Sequence, residues 1–438
     1  MPAIPIVTDA FASTAREMAG LWGLPNFRFV MMTHPLYALT PDEMEQRADE
    51  LLDNVLLLLQ HGQSGSILGD AHAPRERGRT TKLTRTKAAA RAQAGMRGDL
   101  SRQIEFCYAR GWTDGLPVVP ATRNLVNNML EAAGLAPKAV IADMPSRKVS
   151  VTAENVAVNA VMAGCRPEYL PVIVAAVKSL AVPEFGLHHV CSGHSGATIM
   201  ILVNGPIAKK LDINSTNNVF GPGSRANATI GRALRLILLN CLNYRSGESD
   251  GATMGTPGKY TCCIAENEDN HPWEPWHVEN GFRPQDSTVT LVAASTMIQV
   301  RNDGDHKPLL RCIGDALSFL GSIAVRGKTP GAVVLCGGHA EMLRASGWSK
   351  QQVREFVVAH TGRSVAALKL AGWISGEVMP EDETTLQYAM DTPDELMLIC
   401  AGGPVGLLSM VLPGFGASKA AGRSRPILIE EHATRLSS

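Results

Sequence analysis

Apolar positions along this chain recur in two rhythms. Short continuous runs at residues 3–8, 27–32, 198–203, 261–265, 289–293, 333–336 and 396–400 read as strands, because a brief apolar run between turn formers suits a sheet buried on both faces. Other stretches repeat in three- and four-residue steps, the signature of a helix with one buried stripe. Phe11, Ala12, Ala15, Met18, Ala19 and Trp22 form one such stripe, and Met44, Ala48, Leu51, Leu52, Val55, Leu56 and Leu59 form another. Ile230, Ala233, Leu234, Ile237, Leu238 and Cys241 form a third, and a further helix is predicted over 309–323. Start signals agree: Asp9, the capping box of Thr40, Pro41 and Glu43, Thr152 with Gly164 as stop, Pro167 with Glu168, Ser224 or Asn227, and Ser349 with Gln352. Strands alternating with helices predict an α/β fold.

Three parts follow from this pattern. Residues 1–61 predict an incomplete, flavodoxin-like βαβα segment of a doubly wound fold. Two strands and two helices bury too little apolar surface to stand alone, so the segment must dock on the rest of the chain or on a partner. Residues 62–98 lose all periodicity and carry Arg75, Arg77, Arg79, Lys82, Arg85, Lys87, Arg91 and Arg97. No aromatic residue interrupts them for base stacking, so a solvated linker fits better than a nucleic-acid arm. Residues 99–438 predict a large mixed α/β domain, with no repeat of fixed period and a loose polar tail after Lys419.

Charge narrows the partners. Lys plus Arg equal Asp plus Glu at 41 each, so no global field draws the chain to nucleic acid or an anionic membrane. The apolar run at 170–180 is broken by Pro171 and Lys178, short of the ~20 residues a span requires. The N-terminus shows no basic start followed by an apolar core. Nine scattered cysteines without a C-x-x-C pair indicate free thiols in a reducing compartment, and a cytoplasmic location is expected.

The candidate chemistry centres on residues 212–239. A polar loop with Asn214 and Asn217 runs through Gly221-Pro222-Gly223 into a helix start bearing Arg225, Asn227, Thr229 and Arg232. Backbone amides, the helix dipole and two guanidinium groups suit a carboxylate or phosphate, so these residues are candidates for binding a small anionic substrate. A plain turn with a solvated arginine face is the competing reading. Cys165, beside Arg166 and a helix start, is the candidate nucleophilic thiolate. His188, His189 and His194 lie in a predicted turn-rich loop, at a spacing no zinc motif uses. The loop from Glu266 to Glu279 interleaves carboxylates and imidazoles with Trp273 and Trp276; Glu266 and His277 are candidate acid/base groups, and Glu268, His271 and His277 are candidate ligands for a divalent metal. Strand, Gly337-Gly338, then His339 at a helix start is another place where ligand meets backbone amide. A second strand-to-glycine junction follows at Gly402-Gly403-Pro404.

Two parts of the chain resemble known families. The stretch beginning IPIVTDAFASTAREMAGL at residue 4 and running to residue 60 resembles the C-terminal half of the UGSC-motif selenoprotein family, in which selenocysteine or cysteine followed by Gly-Ser-Cys lies upstream. NAVMAGCRPEYLPV, GPGSRANATIGRALRLI, GKYTCCIAENEDNHPWEPWHVENGF and GGHAEMLRASGWSKQQVREF resemble a companion family of bacterial proteins spanning most of residues 100–415. The U/C-Gly-Ser-Cys element itself has no counterpart here, and Cys191-Ser192-Gly193 is not it. The resemblance implies thiol or selenol redox chemistry in such assemblies, and a partner chain or self-association that completes the N-terminal segment.

These readings converge on an expected thiol-dependent enzyme acting on a small anionic molecule, with Cys165, Glu266, His277 and His339 as catalytic residues. A metal-dependent hydrolase or lyase built on the 266–277 loop and an accessory subunit completing a partner are the alternatives.

Overall fold

The computed structural model describes residues 4–33, 41–61, 99–404, 406–415 and 422–430. The Thr40 cap and the basic stretch 62–98 lie outside the described residues. The chain is α/β and divides into two compact units, Met1–Pro120 and Ala121–Ser438. Among the described residues no single helix is long and apolar enough to cross a membrane.

In the first unit β1 (Ile6–Thr8) and β2 (Val30–Met32) pair in parallel, Ile6 opposite Val30, on either side of α1 (Ala12–Leu21). The expected second helix, α2 (Pro41–His61), forms. Its apolar stripe does not become a buried face: Met44, Leu52, Leu56 and Leu59 are exposed, while Leu58 is buried. Two three-residue strands offer too little surface to cover such a stripe. A further helix, α3 (Leu100–Ala109), starts on an Asp99 side-chain cap and belongs to this unit.

The second unit opens with α4 (Arg123–Ala132) and the hairpin β3 (Val140–Met144) and β4 (Val149–Thr152). Next come α5 (Ala153–Ala163) and α6 (Leu170–Leu180). The Thr152 capping box and the Gly164 stop form as the sequence predicts, with Gly164 at φ +89°. The chain continues through β5 (Thr198–Asn204), α7 (Arg225–Asn240), β6 (Cys263–Ala265), β7 (Thr288–Ala294) and β8 (Ile298–Arg301). It then forms α8 (His306–Leu317), β9 (Gly331–Leu335), α9 (Gly337–Ser346) and α10 (Lys350–Ala359). The last strands described are β10 (Leu396–Cys400), β11 (Leu408–Leu412) and β12 (Ile427–Leu428).

Two four-stranded sheets result, ordered β12-β7-β5-β6 and β10-β9-β11-β8. Side-chain alternation packs them face to face. Ala332 and Val334 of β9 and Met397 and Ile399 of β10 meet Met200 and Leu202 of β5 and Ile264 of β6 in one core. The intervening Val333, Leu335, Leu396 and Leu398 point the other way, onto Leu309, Ile313, Leu343, Val353 and Val357 of α8, α9 and α10. On the far side of the first sheet α6 lies against β7, and α7 lies against β6 and α5. The architecture is therefore helix, sheet, sheet, helix.

The sheets share one pattern of strand directions. In each, a parallel pair joined through helices (β5 and β6; β9 and β10) has an antiparallel strand beside its first member (β7; β11), flanked by an antiparallel edge (β12; β8). The likeness lies in spatial arrangement and not in chain order, since the edge β12 follows its sheet-mates while β8 precedes its own, which is why no fixed sequence period reveals it.

Three predicted segments behave differently in the structure. The helix predicted over 309–323 stops at Leu317, where the Ser318 hydroxyl turns back to the Gly314 carbonyl, and Ser322 caps a separate short helix. The histidine-rich loop is helical over Leu187–Ser192, and the His189 ring stacks on Phe415 with centroids 5.0 Å apart. The tail contributes β12, whose Ile427 pairs with Val289, because the apolar run 427–429 can extend the sheet edge; residues 416–421 and 431–438 lie outside the described residues.

Candidate active site

The carboxyl ends of both parallel pairs open toward one place. Asn267 N–H, just beyond β6, donates to the Cys400 carbonyl at the end of β10 at 2.7 Å. Ala265 N–H donates to Asn214 and Gly402 N–H to Ser215, so the 214–217 loop, the 266–277 loop and the Gly402 junction meet there. Gly403 is fitted to this approach, since a Cβ on it would collide with the Asn217 side-chain oxygen. Ligands of open α/β sheets lie outside the carboxyl ends of parallel strands.

At the end of β9, Cys336 is the N-cap of the ten-residue helix α9 and His339 sits in its first turn. Positions three apart on a helix are neighbours, so the His339 imidazole lies beside the Cys336 thiol, with Ser409 Oγ in contact with both residues. Cys336 N–H donates to Ser409 Oγ at 3.1 Å, Ser409 Oγ lies 2.6 Å from His339 Nδ1, and His339 Nε2 donates to the Asn302 carbonyl at 3.0 Å. The Cys336 thiol points to the Gly406 carbonyl at 3.5 Å. Burial pushes this thiol up, but hydrogen bonds from His339, its charge and Ser409 prevail and bring it down to about 7. The imidazole responds in the opposite sense: burial lowers its pKa, and the Cys336 thiol with the Asn302 carbonyl raises it above the ordinary histidine value. A thiolate beside an imidazolium at a helix start is the arrangement that activates cysteine.

At the ends of β5 and β6 the chemistry is acidic. Glu266, 3% exposed, accepts from Asn204 Nδ2 at 2.5 Å and Trp276 N–H at 2.9 Å, and its Oε1 lies 2.9 Å from His271 Nε2. Burial pushes its carboxyl up, yet the His271 contact, the Trp276 amide and Lys350 together hold it below the ordinary range. Glu268 Oε1 accepts from Gly205 N–H at 2.6 Å and from Asn204 Nδ2 at 3.2 Å. His277 is fully buried with Nδ1 3.8 Å from Glu268 Oε1, and among the described residues neither ring nitrogen has a hydrogen-bond partner. Helix α9 ties the two regions together through Arg344, which donates to the Asn270 carbonyl at 3.1 Å.

The structure does not favour Cys165 as a thiolate. Cys165 is buried, donates to the Thr229 carbonyl at 3.2 Å, and is pushed up to about 12 by burial despite that bond and the charges of Arg225 and Arg232. A thiol at that value is protonated at neutral pH, so Cys165 does not supply the thiolate. The anion cradle is corrected as well. Arg225 directs Nε and Nη2 at the Gly164 carbonyl at 3.1 and 2.8 Å, capping the end of α5, and Thr229 Oγ1 returns to the Arg225 carbonyl. Arg232 lies on the Cys165 side of α7. Asn227 bonds Asn214 through both its amide groups, and Asn214 closes its own turn on Thr216 and Asn217. These asparagines fasten the loop to the helix.

Among the described residues no three His, Cys, Asp or Glu side chains converge as a metal ion requires, the candidate ligands Glu268, His271 and His277 included. Sequence reasoning missed Cys336, Ser409, Asn302 and Asn204. The available signal was Cys-Gly-Gly-His after a strand, a cap-to-third-residue spacing that matches a capping box.

Residues 1–61 match the UGSC family. The matched UGSC segment comprises β1, α1, β2 and α2, and leaves the strand-end site outside it. No curated protein and no solved structure matches the chain.

Proposed function

We propose that this protein is a thiol-dependent enzyme in which Cys336 is the nucleophile and His339 holds the proton the thiol gives up. The lowered Cys336 pKa carries this reading, since the buried thiols of Cys165, Cys191 and Cys262 are all raised to about 12 by burial. In the proposed step Sγ bonds to an electrophilic carbon, and that carbon's π-electron pair moves to its oxygen. The first-turn amides of Gly337 and Gly338 lack intrahelical acceptors and favour negative charge there, which suits a small anionic or carbonyl-bearing substrate. The proposed site lies outside residues 1–61, the segment that matches the UGSC family.

Alkylation at neutral pH, located by peptide mass mapping, tests this. Cys336 reacts before Cys165, and iodoacetate gains on iodoacetamide relative to their ratio at free cysteine. Cys336 protected while Cys165 reacts sinks the proposal.

A second reading, docking of the UGSC segment on a partner chain or second copy, draws on the exposed Leu52, Leu56 and Leu59 of α2. Recovery of the full chain as an active monomer sinks it.

A further inference from the structure

A cavity of about 610 Å³ lies beside the start of α7, away from the Cys336 thiol, bounded by Phe220, Ala228, Met297, Met410 and the hydroxyls of Thr198 and Thr256. We infer that it is a binding site for an uncharged, mainly apolar small molecule carrying one hydrogen-bond acceptor such as a ketone or ether oxygen.

Size comes first: small-molecule sites span roughly 300–1,000 Å³, and this volume falls in the middle. Charge comes next. No Lys, Arg, His, Asp or Glu lines the cavity, and an ion placed there would lose water without a counter-charge. Two cations close in sequence to the lining are committed elsewhere. Arg225 faces the Gly164 carbonyl, and Lys259 holds both Asp250 oxygens at 2.8 and 2.7 Å.

The polar groups then favour an acceptor on the ligand, and Thr296 adds a further hydroxyl to the lining. Thr261 Oγ1 already donates to the Ala228 carbonyl at 2.8 Å, and the Asn227 side chain is taken up by Asn214. Thr198 and Thr256 share a single hydroxyl bond at 2.6 Å. Two hydroxyls contain two protons and one bond uses one of them, so the pair keeps one O–H to offer. A ligand oxygen meets that donor while its apolar body fills the space toward Phe220, Met297 and Met410. Gly258 shapes the floor, since a Cβ there would press on Thr198.

The probe is 6-propionyl-2-(dimethylamino)naphthalene, a neutral ketone whose fluorescence reports a dry environment, compared with anionic 8-anilinonaphthalene-1-sulfonate. Saturable one-to-one binding of the ketone is expected, with weaker binding of the sulfonate. Ala228→Phe fills the cavity from an exposed helix position and should abolish ketone binding with the thermal melt retained. Thr256→Val should weaken it about fivefold, the loss of one hydrogen bond of about 1 kcal/mol. Ketone binding unchanged in a folded Ala228→Phe protein, or sulfonate binding that is tighter and blocked by Ala228→Phe, overturns the inference. Neither result bears on the Cys336 proposal, because the thiol does not line this cavity.

Discussion

The two sheets repeat one pattern of strand directions but end in opposite chemistry. Beyond β9 and β10 stand a thiol, an imidazole, a hydroxyl and a run of glycines. At the matching ends of β5 and β6 stand two carboxylates, two imidazoles and an amide. Topology therefore places an opening at each pair, while residue choice decides what it does. The thiol side gathers donors at a helix start, which on the proposed reading stabilises a nucleophile. The acid side buries a carboxylate among donors, pins the neighbouring loop and leaves His277 with bare nitrogens.

The largest effect that sharpens this contrast is at the thiol. Replacing His339 with Asn removes the group that lowers Cys336, so the pKa should climb from about 7 toward the ordinary thiol value. Thiolate content at neutral pH should then fall by about an order of magnitude or more, read as the alkylation rate of Cys336. If the rate at neutral pH is unchanged, His339 does not activate the thiol.

On the acid side, Glu266→Ala leaves Asn204, the Trp276 amide and His271 without their acceptor, and a loss of about 3–5 kcal/mol in urea unfolding is expected. The pH dependence has a definite sign. Glu266 has a lowered folded-state pKa, so its contribution is complete above its unfolded-state value and fades as pH falls through the folded value. Wild type should accordingly lose stability on acidification more steeply than Glu266→Gln. Parallel acid curves would remove Glu266 from the account of this region.

Smaller effects test the fastening of the loops. Asn227→Ala breaks the ties to Asn214 and should cost about 1–3 kcal/mol, with faster amide exchange over 213–217. Ser349→Ala, at the α10 capping box, should cost about 1 kcal/mol and leave Cys336 reactivity unaltered; a change in that reactivity would mean the helix layer is coupled to the site.

Much of this fold was legible in the chain. The runs at 198–203, 289–293 and 396–400 gave strands because continuous apolar runs of that length suit sheets covered on both faces, and Thr152, Ser224 and Ser349 capped the helices assigned to them. The pairing of two sheets was not legible, since strand order is set by contacts distant in sequence. The site was half legible. His339 and Glu266 could be named as candidates from their places at strand ends, but the meeting of the 214–217, 266–277 and Gly402 loops could not be read from the chain, because it depends on contacts distant in sequence. Cys165 misled because a flanking arginine and helix start must outweigh desolvation: Cys336 is as buried, at 5% against 6% exposure, but has His339 and Ser409 to offset it, whereas the Thr229 bond and the charges of Arg225 and Arg232 do not suffice at Cys165. Arg225 misled because a guanidinium near one helix start can equally cap the end of another.

The central claim is that Cys336 is the thiolate of this protein at neutral pH. Its most direct test is the ultraviolet thiolate absorbance of the native chain minus that of Cys336→Ser, followed across pH. The account predicts a difference signal that rises with a midpoint near 7. A flat difference through neutral pH, with absorbance appearing only in the ordinary thiol range or above, would contradict it.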